Sequence, residues 1–311
     1  MRILLALGGN AMTSPSGDAR PEDQIDAAMR AMEAVADLVA EGVDVVITHG
    51  NGPQVGNLLV KNELAAHVVP PVPLDWCGAQ TQATLGNILM DALDTALARR
   101  GVARPTAALV TRTLVGPDDP AFARPSKPIG RYLGADEARR MVDHGETWED
   151  RGERGWRRVV ASPEPLKVLD APAITTLVGA GFVVIANGGG GIPTVRRADG
   201  SLAGVEAVID KDLGAAVLAH GIEVDLLVIA TDVPHAVLGF GTPDARDIGQ
   251  VDVAEMRSYA AAGHFAGGSM GPKVEAVCRF VEESGRTGVI TDLDSIRAAV
   301  AGTTGTRVHP A

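Results

Sequence analysis

A lysine set between two aspartates, Asp210-Lys211-Asp212, lies shortly after a run of four glycines, Gly188 to Gly191. Glycine has no Cβ, so consecutive glycines let backbone N–H groups approach an anion closely and point at it together. A lysine between two carboxylates is a fixed point charge with orienting partners. Together these features suit a phosphoryl group in transit: amides hold its oxygens and an ammonium neutralises the charge developing on them. Of the 28 Lys+Arg residues only five are lysine: Lys61, Lys127, Lys167, Lys211 and Lys273. The basic surface is thus almost wholly arginine, and the lysines mark places where a compact ammonium replaces a planar guanidinium. Three of them read as lying in Gly- or Pro-marked loops: Lys127 in SKPIG, Lys211 in IDKD and Lys273 in SMGPK. The competing reading is a flexible turn and a solvated charge cluster. The glycine run ends a buried-looking strand, Val183-Val184-Ile185, where open α/β sheets bind ligands, and this favours a site.

The elements that position these residues alternate. A strand from Ile3 to Leu7 breaks into Gly8-Gly9-Asn10. Apolar residues at helical spacing predict a helix over Glu22 to Glu41, closed by Gly42. A second strand, Val43 to Thr48, ends in HGNGPQVG, and Leu74 to Arg100 reads as one long helix, long enough to serve a dimer interface as well as the core. A third strand is predicted at Ala107 to Thr111. Residues 116 to 165, rich in proline and charge and containing RGERGWRRVV, break the pattern and read as an inserted β-rich lid. Alternation then resumes: a strand ends at Ala186, helix Leu213 to Ala219 follows, and a strand from Asp225 ends in Thr231-Asp232. A glycine-rich loop, Gly263 to Lys273, precedes a helix from Val274 to Glu283. The tail, Thr304 to Val308, reads as an edge strand. Strand, loop, helix, strand implies a parallel sheet, so the GGN, HGNG, NGGGG and two TD strand ends converge on one edge.

Composition narrows the function. With 311 residues, 46% of them hydrophobic, the chain is long enough for one large α/β unit or two lobes. A net charge of −11 excludes a nucleic-acid surface, which needs a basic face. Two cysteines, Cys77 and Cys278, make no disulfide framework and fit a reducing cytoplasm. The chain shows no signal-like start and no apolar run of membrane length. The P-loop pattern is absent, and Gly50, Gly52 and Gly56 give only a loose variant of a dinucleotide fingerprint. Cys77 reads as core packing, and the histidines lack metal-ligand spacing. His49 and His264 lie in glycine loops where substrate contact and a structural role are both open. Glycine amides, placed lysines and carboxylates remain, a set for phosphoryl transfer by positioning and charge neutralisation. An acceptor that is already an oxyanion needs no general base.

Eight blocks in order, over nearly the whole chain, resemble the carbamate kinases of the amino-acid kinase superfamily. They are ALGGNA, THGNGPQVGN, PLDWCGAQTQ, SKPIG, GWRRVVASPEP, NGGGGIP, GVEAVIDKDL and GHFAGGSMGPKVEA. SKPIG with GWRRVVASPEP is characteristic of carbamate kinases rather than their relatives. The resemblance implies a three-layer αβα sandwich with a mainly parallel central sheet and an inserted lid. It implies a homodimer, with arginine metabolism and purine or allantoin catabolism both open as the pathway. Residues 1–219 would hold carbamate or carbamoyl phosphate and residues 220–311 the nucleotide. The implied reaction is ADP + carbamoyl phosphate ⇌ ATP + carbamate, with Mg²⁺ carried by the nucleotide rather than by the protein. Related kinases use a lysine just before the first glycine pair. Here Leu5-Ala6-Leu7 precede Gly8, and the lid's Lys127 is the implied substitute. Gly8, Gly9, Asn10, Gly50, Asn51, Gly52, Gly189 and Gly190 would line the carbamate and phosphoryl pocket. Lys211 would neutralise the transferring group, Asp212 would orient the lysines, and Lys273 would hold the nucleotide phosphates. Thr231, Asp232, Phe240 and Met270 would surround the nucleotide. Pro234 stands where the family commonly carries an acidic residue.

Overall fold

The computed structural model describes residues 1–8, 13, 20–143, 145–265 and 269–311. Among these residues an eight-stranded sheet forms the spine. Its spatial order is Gln250–Asp252, Thr306–His309, Thr287–Asp292, Leu226–Thr231, Arg2–Leu7, Asp44–His49, Val183–Ile185, Thr106–Ala108. Neighbours pair in parallel, except that Thr306–His309 runs antiparallel to Thr287–Asp292. The Arg2–Leu7 strand explains the layering. Ile3, Leu5 and Leu7 enter the apolar cluster on one face, and Leu4 and Ala6 enter the cluster on the other. A strand buried on both faces reads as a continuous apolar run, as RILLAL does.

Helices Pro21–Ala40 and Leu74–Arg99 cover one face, where Met32, Val35, Leu85, Leu89 and Leu93 are buried. Helices Ala171–Gly179, Lys211–Gly221 and Met270–Ser284 cover the other. The result is the three-layer αβα sandwich that the resemblance implies. The excursion is a three-stranded antiparallel sheet, Lys127–Leu133, Trp156–Val160 and Trp148–Asp150, with helix Ala135–Asp143 packed on it through Ala138.

Four sequence expectations change. The predicted Ala107–Thr111 strand is split. Thr106–Ala108 joins the main sheet, whereas Arg112–Val115 enters a second, four-stranded sheet with Ile192–Arg196, Leu202–Gly204 and Pro165–Val168. The tail strand is not at the edge, because Gln250–Asp252 pairs outside it. Helix Gly52–Ala65 forms where the sequence suggested only a loop. Helix Met270–Ser284 begins four residues early, so Lys273 sits in its first turn rather than in a loop. A first turn tolerates the preceding Pro272, whose missing N–H has no helical partner there.

Candidate active site

The Thr231, His49, Ile185 and Asp292 ends of four mutually parallel strands lie on one edge, together with Leu7. At that edge Asn187 to Gly191 makes a buried arch. Asn187 is left-handed (φ 55), and Gly189, Gly190 and Gly191 have φ of 65, 87 and 91. The glycines are required by packing as much as by conformation. A Cβ on Gly189 would lie 2.2 Å from Asn51 Nδ2, and one on Gly188 2.4 Å from the His49 ring. Buried polar groups hold the arch. Thr48 Oγ1 donates to Asn187 O at 2.8 Å, and Thr111 Oγ1 accepts from Asn187 N–H at 2.8 Å. Gln82 Nε2 donates to Gly188 O at 2.9 Å, and its carbonyl accepts from Thr111 N–H at 2.7 Å. Thr113 Oγ1 lies 3.0 Å from Asn187 Oδ1 and 2.8 Å from Gly190 O, two acceptors for one proton. A satisfied network of this kind fixes one conformation.

The predicted amides divide. The Gly8, Gly50 and Gly190 N–H groups donate to Ala230 O, Leu7 O and Asn187 O. Asn51, Gly52 and Gly189 instead line a cavity of about 470 Å³ between the sheet edge and the lid. Gly52 is the first residue of a 14-residue helix, whose opening N–H groups and positive dipole end favour an anion. Gly9 and Asn10 lie outside the described residues.

The three lysines and two aspartates meet. Asp210 caps helix Lys211–Gly221, its Oδ1 accepting from Asp212 N–H at 2.9 Å and Leu213 N–H at 3.3 Å. Its other oxygen accepts from Lys127 Nζ of the lid at 2.8 Å. Asp212, 3% exposed, accepts from Lys211 through Oδ1 and from Lys273 through Oδ2, the latter at 3.0 Å. Three ammonium groups against two carboxylates leave one positive charge in excess. Burial opposes ionisation of Asp212, but Lys211 and then Lys273 outweigh it and hold the carboxyl below its ordinary value. Burial pulls the Lys211 ammonium below the usual lysine range; Asp212 opposes this and Lys273 adds to it. His49 is buried beside the arch. Burial lowers its pKa to about 4, against the opposing bond to Gly50 O, with Lys211 adding to the fall. It is neutral at pH 7 and packs under Gly188. In the sequence Asp210 reads as an orienting partner of Lys211; its capping role was missed, although an aspartate just before a helix is the usual signal for it.

Residues 1–292 match the amino acid kinase family. A carbamate kinase from Thermococcus kodakarensis is 45% identical over 311 residues, covering 99% of this chain and 98% of that protein. One from Trichomonas vaginalis is 42% identical over 313 residues, with all of both chains covered. The chain belongs to the amino acid kinase family, in its carbamate kinase branch. It is a phosphotransferase. The solved carbamate kinase from Giardia lamblia bound to AMP-PNP superposes with a TM-score of 0.94 at 37% identity, covering 100% of this chain and 98% of that one.

The residues predicted for the nucleotide are spread along the kinase's other half. Thr231 is half-buried at its strand end and Asp232 is exposed. Phe240 is 79% exposed. Its neighbour Gly239 donates its N–H to His264 Nδ1 at 3.3 Å, tying this loop to the segment before Met270. Met270 opens the helix that carries Lys273 and packs against the core. Cys77 is buried and burial raises its thiol pKa, in keeping with a packing role.

Proposed function

We propose that this kinase transfers a phosphoryl group reversibly between ATP and carbamate, making ATP from ADP and carbamoyl phosphate. The observation that carries the reading is the cluster itself: Asp212 bridges Lys211 and Lys273 while the lid's Lys127 reaches the adjoining Asp210. In this reading Lys211 neutralises charge on the equatorial oxygens of the group in transit. Lys273 serves the nucleotide side, and Lys127 serves the carbamoyl side in place of a lysine before Gly8. Asp212 sets the distance between the two buried ammonium groups. The Gly52 and Gly189 amides supply neutral donors on the acceptor side, with Asn51 between them. Carbamate arrives as an oxyanion, so attack needs no proton acceptor, and neutral His49 is consistent with this. An ordered, water-poor site of fixed dipoles and charges is the usual source of such rate enhancement.

Mg²⁺ enters with the nucleotide as part of the substrate. Asp212 is committed to two lysines, and Asp210 to Lys127 and two backbone N–H groups. Magnesium commonly relies on substrate phosphates for such sites. Residues 1–219 hold the carbamoyl group and residues 220–311 the nucleotide, and Thr231, Asp232, Phe240 and Met270 lie on the nucleotide side. We further propose a cytoplasmic homodimer that acts in arginine metabolism. Two free, buried cysteines support the compartment, and the exposed Trp76 at the start of helix Leu74–Arg99 supports the dimer. No helix among the described residues is long and apolar enough to cross a membrane. Luminescent detection of ATP from ADP, Mg²⁺ and carbamoyl phosphate tests the reaction. Folded Lys211→Ala protein with near wild-type turnover would exclude the assigned role of Lys211.

A further inference from the structure

The lid carries a second set of charges that the phosphoryl-handling cluster does not use. The RGERGWRRVV stretch places Arg151, Arg154 and Arg157 with Tyr132 and Pro128 around a groove of about 300 Å³. Arg157 also lines the 470 Å³ cavity that reaches Asn51 and Gly189, so the groove adjoins its mouth. The backbone builds this arrangement deliberately. Strand Lys127–Leu133 bulges between Ile129 and Tyr132, after which Tyr132 stands directly opposite Arg157. Gly155 turns the chain between Arg154 and the next strand at φ 88, and a Cβ there would lie 2.7 Å from Leu133 O.

The arginines of this groove and cavity are not equally paired. Arg131 bonds Glu63 and Glu137, and Arg151 bonds Glu149. Among the described residues no carboxylate pairs with Arg154 or Arg157. Both line the groove beside Tyr132 instead. Arg157 Nη1 donates to its hydroxyl at 3.4 Å with the guanidinium 5.0 Å from the ring centre. Arg154, then Arg157, hold that hydroxyl below the usual phenol range. Arg157 Nε is buried with no hydrogen-bond partner. Arg157 lines both the groove and the cavity, and a guanidinium edge is shaped for two phosphate or carboxylate oxygens.

The chain as a whole carries a charge of −11, which repels a dianion. We propose that Arg154 and Arg157, beside Tyr132 at the mouth of the cavity, capture the phosphoryl dianion of carbamoyl phosphate before it passes to the Lys211 cluster, and so set the apparent affinity for that substrate. This rests on the carbamoyl-phosphate reading above. Local cations of this kind focus the field and speed capture of a charged ligand in a salt-dependent way. ADP approaches the opposite half and does not use them.

Steady-state kinetics on Arg154→Ala, Arg157→Ala, the double variant and Arg157→Lys test the assignment. The double variant raises KM for carbamoyl phosphate about ten- to hundredfold, the range of one or two lost charge-assisted bonds. KM for ADP stays at the wild-type value. Arg157→Lys recovers part of the loss, because it restores charge without the fork. The fall of kcat/KM with added NaCl becomes shallower in the double variant. An unchanged KM for carbamoyl phosphate, an equal rise in both KM values, or an unaltered salt slope overturns the proposal. Arg154 is exposed, so Arg154→Ala folds and carries the test if Arg157→Ala does not. A wild-type protein that makes no ATP overturns the reaction rather than the anion site. Calorimetric titration with inorganic phosphate then decides the latter: weaker binding in the double variant supports it and equal binding overturns it.

Discussion

Asp212→Asn removes one charge from the centre of the cluster with almost no change of shape. Asp212 is 3% exposed and its two oxygens serve Lys211 and Lys273. With the charge gone, two ammonium groups face one another across a neutral amide. Removing one partner of a buried ion pair costs about 3–5 kcal/mol. Against a usual total of about 5–15 kcal/mol, the variant folds but melts well below wild type. Lys211 has an escape. Burial already lowers its pKa while Asp212 opposes the fall, so without Asp212 it gives up its proton at lower pH still. A missing charge-stabiliser is worth about 10²–10³ in rate. The variant's kcat for ATP formation therefore falls by about that factor at neutral pH, and falls further as pH rises and Lys211 discharges.

The two groups affect stability at opposite ends of the pH range. The Asp212 carboxyl lies below its ordinary value when folded, so its contribution is complete above the usual carboxylate range and lost as pH falls through the depressed value. Folded Lys211 binds its proton less tightly than the unfolded chain does. Stability from this group therefore rises with pH between its depressed value and the usual lysine value. The assay is kcat against pH, with the melting temperature measured by circular dichroism at each point. Asp212→Asn protein with wild-type kcat and an unchanged melting temperature refutes the reasoning.

Three further outcomes follow from the same geometry. Gly189→Ala puts a Cβ 2.2 Å from Asn51 Nδ2 at φ 65, and destabilises the fold by about 1–3 kcal/mol, read from urea unfolding; an unchanged midpoint contradicts this. The His49 ring, with a pKa of about 4, shows no protonation above pH 6 by NMR, and kcat shows no step in the usual histidine range; a midpoint near 6.5 would count against a neutral His49. Lys127 is about a third exposed and its bond to Asp210 adds about 1 kcal/mol or less. Lys127→Ala therefore loses about 10²–10³ in kcat with little change in melting temperature, and a variant that keeps its kcat contradicts the assignment.

The residue types that meet at the edge were legible where local chemistry is strong. Ile3 to Leu7 and Val183 to Ile185 are unbroken apolar runs, and a parallel sheet brings their polar ends together wherever else the chain goes. The scarcity of lysine singled out Lys127, Lys211 and Lys273, and the structure brings all three to two adjacent aspartates. Asp210 reads as a partner of Lys211, and its bond to Lys127 stayed hidden because that lysine lies on a lid distant in sequence. The glycine run was read for ligand approach, yet its side-chain space is filled by His49, Asn51, Thr113 and Ile209. Those contacts come from three other segments, which no local pattern reveals. Helix Gly52–Ala65 was missed because glycine and proline at its start resemble a loop, while its apolar stripe is narrow, with Val55 and Leu59 alone buried. The split at Leu109-Val110 has a tertiary cause as well. Thr111 is drawn away to bond Gln82 and Asn187.

The most direct test of the central claim is ATP formation from ADP, Mg²⁺ and carbamoyl phosphate by wild-type and Lys211→Ala protein, with both shown to be folded. The account predicts rapid turnover by the wild type and a loss of about 10²–10³ or more in the variant. Turnover that survives the loss of Lys211, or a folded wild type that binds ADP and makes no ATP, contradicts it.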